Sequence, residues 1–211
     1  MLATAQMMGG KELEGAFQYY VSLGVRLMLD SSTRTGSVEE GLAGAAHEIY
    51  TGRIITIKEL KTYLIGITPT NERFKNAFET ATVSNGKLAR YYLRSLEMAA
   101  KKEREPWHIP NDDRSVINLE HVLPEKPEGN WPQFSAEEVK IYYRRIGNLV
   151  LLRASDNSTL KSAGFAEKKP TFSRSPYELT KQISSCDNWR ADEIIARQKT
   201  LAELAVRAWP I

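Results

Sequence analysis

The stretch INLEHVLP, residues 117–124, decides the fold class of this chain. Its branched apolar residues are typical of a buried strand, and Pro124 ends that strand because proline has no N–H for the ladder. Glu120 and His121 stand side by side at the end of the run. Neighbouring side chains on an ideal strand point to opposite faces, so both can serve one site only if the chain twists or bends there.

A second apolar run, NLVLLR at residues 148–153, predicts a partner strand, since it is short, continuous and flanked by polar residues. Between the two runs, Ser135 and Glu138 form a Ser-x-x-Glu capping box, which predicts the start of a helix. Helical patterning resumes after the second run, and we expect Asn157 at the beginning of the following helix. The predicted order is therefore strand, insert, strand, helix.

The first half of the chain is predicted to consist of helices. Apolar residues recur at helical spacing within NGKLARYYLRSLEMAAKKERE, residues 85–105. Two capping boxes predict further helix starts, Ser37 with Glu40 and Thr56 with Glu59.

The prolines and polar residues of EPWHIPNDD, residues 105–113, mark a boundary where helix gives way to another structure. We predict a helical segment at residues 1–105 and a second domain at residues 106–211. The fold class that follows is α+β and mainly helical, with the two strands in the C-terminal half.

The composition suits a soluble protein with one large or two small domains, since 42% of its 211 residues are hydrophobic and 26% are charged. The net charge of +3 is small, so a surface for nucleic acid must come from local clustering. A single cysteine, Cys186, excludes an internal disulfide and is typical of a reducing compartment, so we expect a cytoplasmic protein.

No window approaches the apolar length of a membrane span, and we expect no membrane contact. Residues 11–29 are already strongly apolar with no leader before them, which predicts that the chain is a fragment of a longer protein. The oligomeric state is left open.

The candidate catalytic and metal-binding residues are Glu120, His121, Asn148 and Asn157. A carboxylate oxygen with an amide oxygen suits Mg²⁺ or Mn²⁺, which take further oxygens from water and a phosphate. A neutral imidazole can remove a proton from water, and the cation stabilises charge on the phosphate, so the set predicts a phosphodiesterase. Each residue also has a plain structural explanation; Asn148, for example, follows a glycine and could simply cap a helix.

Basic residues surround the candidate site in sequence: Arg144, Arg145, Arg153, Lys161, Lys168 and Lys169. Arg153, Lys161 and Lys168 stand out for their nearness to Asn157. A nuclease needs positive charge to hold the phosphate backbone, so we predict that these three side chains contact DNA. The alternative is that they are ordinary solvated charges on a helix or strand end.

LEHVLP followed by GNLVLLRASDN resembles the ββα-metal motif of HNH, or His-Me finger, nucleases. The closer similarity is to the C-terminal nuclease domain of GmrSD-type restriction and phage-defence proteins, with Phe165 and Lys168 in the places of that family's Phe and Lys. Two upstream stretches, GRIITIKELKTYL and LARYYLRSLE, resemble the helical segment that precedes the nuclease in such proteins.

The resemblance implies that His121 is the general base, that Glu120 and Asn157 are metal ligands, and that Asn148 braces the loop that holds the histidine. It also implies an HNH-type DNA endonuclease that acts in restriction of foreign or modified DNA, together with an N-terminal NTPase-like module in the full-length protein or complex. The alternatives are a non-catalytic module of the same fold that binds nucleic acid or protein, and a nuclease that cleaves RNA.

Overall fold

The computed structural model describes residues 1–103, 107, 109–111, 113–157, 160 and 162–211. The chain forms two compact units, one of residues 1–77 with 209–211 and one of residues 78–208. This division differs from the predicted boundary between residues 105 and 106. The reason is that the last long helix before residue 105 packs against both strands, so it belongs to the strand-containing unit.

The first unit is helical, as predicted. It contains α1 (Leu2–Met7), α2 (Gly10–Leu29), α3 (Thr35–Tyr50), α4 (Ile57–Tyr63), a 3₁₀ turn (Ile65–Ile67) and the first part of α5 (Asn71–Thr80). Its core is made of apolar side chains from α2, α3 and α4, among them Leu23, Ile49 and Leu60.

The capping box of α4 is confirmed, because Thr56 Oγ1 accepts from the Glu59 N–H at 3.2 Å and Glu59 Oε2 accepts from the Thr56 N–H at 3.0 Å. The box predicted at Ser37 is wrong. Helix α3 begins at Thr35, two residues earlier, and no side chain caps it. Ser37 therefore lies within the first turn of the helix, and the N–H of Glu40, beyond that turn, is already bonded within the helix and needs no cap.

The second unit contains the two predicted strands, β1 (Ile117–His121) and β2 (Leu149–Arg153). They pair antiparallel, with His121 opposite Leu149 and Ile117 opposite Arg153. The helices of this unit are α6 (Gly86–Lys101), α7 (Ala136–Tyr142), α8 (Ala154–Asn157), α9 (Phe165–Ser173), α10 (Glu178–Lys181) and α11 (Ala191–Ala208), with 3₁₀ turns at Ile146–Asn148 and Gln182–Ser185. The α+β class is confirmed, and so is the capping box of Ser135 and Glu138 at the start of α7.

Strand β2 lies at the centre of the second unit. Its first four residues, Leu149 to Leu152, are buried on both faces, which explains why the sequence shows a continuous apolar run and no alternation. Val150 and Leu152 contribute to a core with Trp131, Phe172 and Trp189. This core supports the end of β1, where the candidate chemistry lies.

The turn before β2 packs tightly against α11. Gly147 donates its N–H to Gln198 Oε1 at 3.2 Å, and Gln198 Nε2 donates to the carbonyls of Phe78 and Ala81 at 2.7 and 2.8 Å. A Cβ at Gly147 would lie 2.3 Å from the Ile194 carbonyl oxygen and 2.9 Å from Gln198 Cβ. The glycine is required here because the backbones approach too closely for a side chain.

We expect Gly147→Ala to lower the free energy of unfolding by about 1–3 kcal/mol, since α11 must shift to admit the methyl group. Urea denaturation followed by circular dichroism measures the change. Gly24→Ala is the matched control, because Gly24 lies within α2 and, apart from its own helix backbone, nothing lies within 4 Å of the place that its new methyl group would occupy. An unchanged midpoint for Gly147→Ala would contradict the close packing.

Candidate active site

Glu120 and His121 lie at the end of β1, in the second unit. Glu120 is 9% exposed and stands opposite Val150, whereas His121 is half-buried and stands opposite Leu149. The strand ends directly after His121, as the following proline predicts.

Lys168, from α9, reaches the same place from the other side of the core. Its side chain is fully buried, and its Nζ donates to Glu120 Oε1 at 2.5 Å and to the His121 carbonyl oxygen at 2.8 Å. The prediction that Lys168 contacts DNA is therefore wrong, because its ammonium group is enclosed by protein and holds a carboxylate. Lys168 instead joins the side chain of Glu120 to the main chain of His121.

Burial acts on the ionisation of all three groups. It raises the pKa of Glu120 and lowers the pKa of Lys168, while the attraction between the two charges opposes both changes. Burial also lowers the pKa of His121, and the positive charges of Lys168 and Arg144 lower it further, with Glu125 acting in the opposite direction. The imidazole of His121 is therefore neutral at neutral pH, as a proton acceptor must be.

Asn148 is fully buried and makes four side-chain hydrogen bonds. Its Oδ1 accepts from the Leu123 N–H at 2.8 Å and from Trp189 Nε1 at 3.0 Å. Its Nδ2 donates to the carbonyls of Leu123 at 2.8 Å and Tyr143 at 3.1 Å. The side chain thus fixes the main chain two residues after His121, whereas a part for Asn148 in catalysis stays a prediction.

Tyr143 and Arg144 lie beside the histidine; the sequence placed Arg144 among the basic residues around the site, but neither residue was predicted to be part of it. The Tyr143 ring stacks on the His121 ring, with centroids 6.2 Å apart and planes at 29°. The Arg144 guanidinium lies over the Tyr143 ring, 4.8 Å from its centroid. Besides the basic cluster that includes Arg144, the signal was their place just before the Gly-Asn-Leu stretch, because that turn leads to the strand paired with His121.

The remaining predicted residues are placed only in part. Arg153 is exposed at the end of β2. Asn157 is the fourth residue of α8, so it lies in the first turn of the helix that follows β2, and its side chain lies outside the described part of the chain. Lys161 also lies outside the described residues. The structure therefore joins Lys168 to Glu120 and Asn148 to the segment after His121, and it does not test the position of the Asn157 amide. Strand β1 pairs in regular register through Glu120 and His121, so the bend that would turn both side chains to one face is not seen before His121.

Glu120 offers a carboxylate oxygen, the kind of ligand that hard cations take. Within the described ranges, no group of three or more His, Cys, Asp or Glu side chains could hold a metal ion. Mg²⁺ and Mn²⁺ require less, because they are held by one or two carboxylates with waters and substrate phosphates. A carboxylate accepts several bonds, so the contact with Lys168 does not exhaust the capacity of Glu120.

The comparison with protein families identifies residues 68–204 as the C-terminal domain of GmrSD restriction endonucleases. The chain belongs to this family. The GmrSD match spans more than half of the chain and includes α6, both strands and every predicted site residue. A comparison with curated proteins found no match.

Membership in the GmrSD family supports nuclease activity of the restriction-endonuclease kind, with DNA as the substrate. The matched range includes LARYYLRSLE, residues 88–97, but GRIITIKELKTYL, residues 52–64, lies outside it. The upstream part of the resemblance therefore stays a prediction. In the described part of the chain, no helix is both long enough and apolar enough to span a membrane.

Proposed function

We propose that this GmrSD C-terminal domain is a metal-dependent, HNH-type DNA endonuclease that acts in restriction of foreign or modified DNA. The observation that carries the proposal is the half-buried His121 at the end of β1, directly after Glu120 and just before a segment that Asn148 holds. The antiparallel β1–β2 pair followed directly by α8 supports the HNH assignment, since a ββα unit has this order.

His121 is proposed to accept the proton of the attacking water. Its lowered pKa keeps the imidazole unprotonated at neutral pH, so the base is ready before the substrate arrives. Asn148 supports the step indirectly, because it holds both main-chain groups of Leu123 and prevents the segment after His121 from moving. Lys168 contributes in the same way through the His121 carbonyl oxygen.

Glu120 and Asn157 are the residues that we propose hold Mg²⁺ or Mn²⁺. A divalent cation bound there supplies positive charge to stabilise the phosphate during cleavage. Lys168 orients the Glu120 carboxylate through the contact of 2.5 Å, so this ligand does not have to be ordered when the site is filled. Arg153 and Lys161 are proposed to contact the DNA backbone. The proposed protein partner is an N-terminal NTPase-like module. The proposed location of the protein is the cytoplasm.

Replacing His121 with alanine is expected to lower the rate of DNA cleavage by about 10²–10⁴-fold, the usual contribution of a general base. The measurement follows relaxation and linearisation of supercoiled plasmid with Mg²⁺ or Mn²⁺ at neutral pH. His47→Ala is the matched control, because His47 is exposed on α3 in the first unit and its variant should cleave like the wild type.

Equal cleavage rates for the wild type and His121→Ala would show that His121 is not the general base. Cleavage that continues in excess chelator would contradict the requirement for a cation. An RNA substrate tested in parallel decides between DNA and RNA as the preferred nucleic acid.

A further inference from the structure

A short row of planar groups leads from the candidate base to the protein surface. The His121 and Tyr143 rings stack at 6.2 Å, and the guanidinium of Arg144 lies 4.8 Å from the Tyr143 centroid. His121 and Tyr143 are half-buried, whereas Arg144 is exposed. The row therefore places an exposed positive charge next to the group that we propose activates water.

The guanidinium groups of Arg144 and its neighbour Arg145 make different contacts. Arg145 donates to the carbonyls of Thr80 at 2.9 Å and Glu79 at 3.1 Å, so its guanidinium is bound to main chain. For Arg144, the part of the chain that the structure describes shows no ion pair with a carboxylate. Its main chain is held, since its carbonyl oxygen accepts from the Val83 N–H at 2.9 Å. The main chain of Arg144 is thus held in place, while its guanidinium group remains available to bind a ligand.

Stacking on an aromatic ring leaves the hydrogen-bonding edge of a guanidinium available. The cation–π contact uses none of the five N–H donors of the group, so these donors stay available to a ligand. This edge matches the spacing of two phosphate oxygens, which is why arginine binds phosphate through two parallel bonds. A lysine at this position would lack both the flat face and the paired donors.

We propose that Arg144 binds a phosphate of the DNA backbone close to the scissile phosphodiester, and that Tyr143 is a positioning residue that holds this guanidinium and the His121 ring in place. The proposal rests on the proposed nuclease function. It adds a specific phosphate contact on the His121 side of the site, whereas Arg153 lies at the other end of β2, opposite Ile117. The exposed charge of Arg144 also provides what Lys168 cannot, because Lys168 is buried against Glu120.

Binding without cleavage tests the phosphate contact. A duplex oligonucleotide is titrated with protein in chelator at several salt concentrations, and the slope of log K against log salt is measured for each variant. Loss of one phosphate contact in Arg144→Ala should reduce the magnitude of this slope by about 0.9, with roughly tenfold weaker binding at low salt. Lys199→Ala, at an exposed lysine on α11, is the matched control and should keep the wild-type slope.

Cleavage kinetics test the positioning role of Tyr143. Tyr143→Phe keeps the ring and should retain the wild-type kcat, whereas Tyr143→Leu should lower kcat roughly tenfold or more with a smaller change in KM. Arg144→Lys should keep the salt slope but recover only part of kcat/KM, because the charge remains and the paired donors are lost. Circular dichroism melting of each variant separates these effects from loss of folding.

An unchanged salt slope for Arg144→Ala, in a wild type that cleaves DNA, would overturn this inference and leave the nuclease proposal intact. Equal kcat for Tyr143→Leu and Tyr143→Phe would overturn the positioning role. A wild type that binds but never cleaves, with the slope reduced in Arg144→Ala, would support the phosphate contact while the nuclease proposal fails.

Discussion

Lys168→Met is expected to lower the free energy of unfolding by about 3–5 kcal/mol, the usual cost of removing one partner of a buried ion pair. The side chain is fully buried and its Nζ contacts both Glu120 Oε1 and the His121 carbonyl oxygen. Methionine fills similar space but leaves the carboxylate without its cation. Urea denaturation at neutral pH measures the loss, and the neighbouring Lys169→Met, at a less buried lysine, should change stability by less than about 0.5 kcal/mol.

The loss in Lys168→Met should depend on pH in a defined direction. Burial already raises the pKa of Glu120 from 4.5, and removal of the Lys168 charge raises it further. A group whose pKa is higher in the folded state stabilises the fold at low pH and stops doing so as the pH rises through the raised value. The deficit of the variant should therefore be largest at neutral pH and should shrink toward pH 4.5.

A double variant tests whether the Glu120–Lys168 ion pair causes the loss of stability in Lys168→Met. Glu120→Gln with Lys168→Met removes the unpaired charge, so its loss of stability should be smaller than the sum of the two single losses. Additive losses, or a deficit in Lys168→Met that does not change with pH, would show that the ion pair is not what Lys168 contributes.

Asn148→Leu is expected to lower the free energy of unfolding by about 4 kcal/mol, since it leaves several buried partners without a hydrogen bond at about 1–3 kcal/mol each. The partners are the N–H and carbonyl of Leu123, the Tyr143 carbonyl and the Trp189 indole N–H. Leucine is similar to asparagine in shape and somewhat larger, so the loss reports on hydrogen bonding more than on an empty cavity.

Asn85→Leu is the control for this change. Asn85 is exposed and caps α6, where its Oδ1 accepts from the N–H groups of Lys87 and Leu88. Loss of that cap should cost only about 1 kcal/mol, because water replaces the missing acceptor. Comparable losses at Asn148 and Asn85 would mean that burial does not raise the cost at Asn148. Trp189 fluorescence provides a local readout, since its indole N–H loses the Asn148 oxygen.

Much of the local structure could be predicted because its causes lie within a few residues. Both strands follow from short apolar runs, and β2 is continuous in the sequence because both of its faces are buried. The helix starts at Thr56 and Ser135 follow from side chains that satisfy N–H groups three residues away. The same pattern at Ser37 led to a wrong helix start, because a box there predicts Val38 as the first helical residue, whereas α3 begins three residues earlier, at Thr35.

Of the candidate site, only the adjacent pair Glu120 and His121 could be predicted from the sequence. Glu120 and His121 are adjacent in the sequence, and the proline that ends their strand is visible beside them. The role of Lys168 was not visible, because a lysine is expected at the surface and its partner lies 48 residues away. The stacking of Tyr143 on His121 is equally non-local, since it depends on the pairing of β1 with β2.

The sequence alone therefore determined the two strands, several helix starts and the pair of residues that the chemistry needs, since each depends on hydrogen bonds and side-chain patterns within one element. The tertiary structure decided which basic side chain is buried, which is exposed beside the histidine, and how Asn148 holds the following segment. These features depend on contacts between α9, β1 and the turn before β2, and no spacing along the chain encodes such contacts. As a result, the buried Lys168 pairs with Glu120, whereas Arg144 is an exposed positive charge at the site.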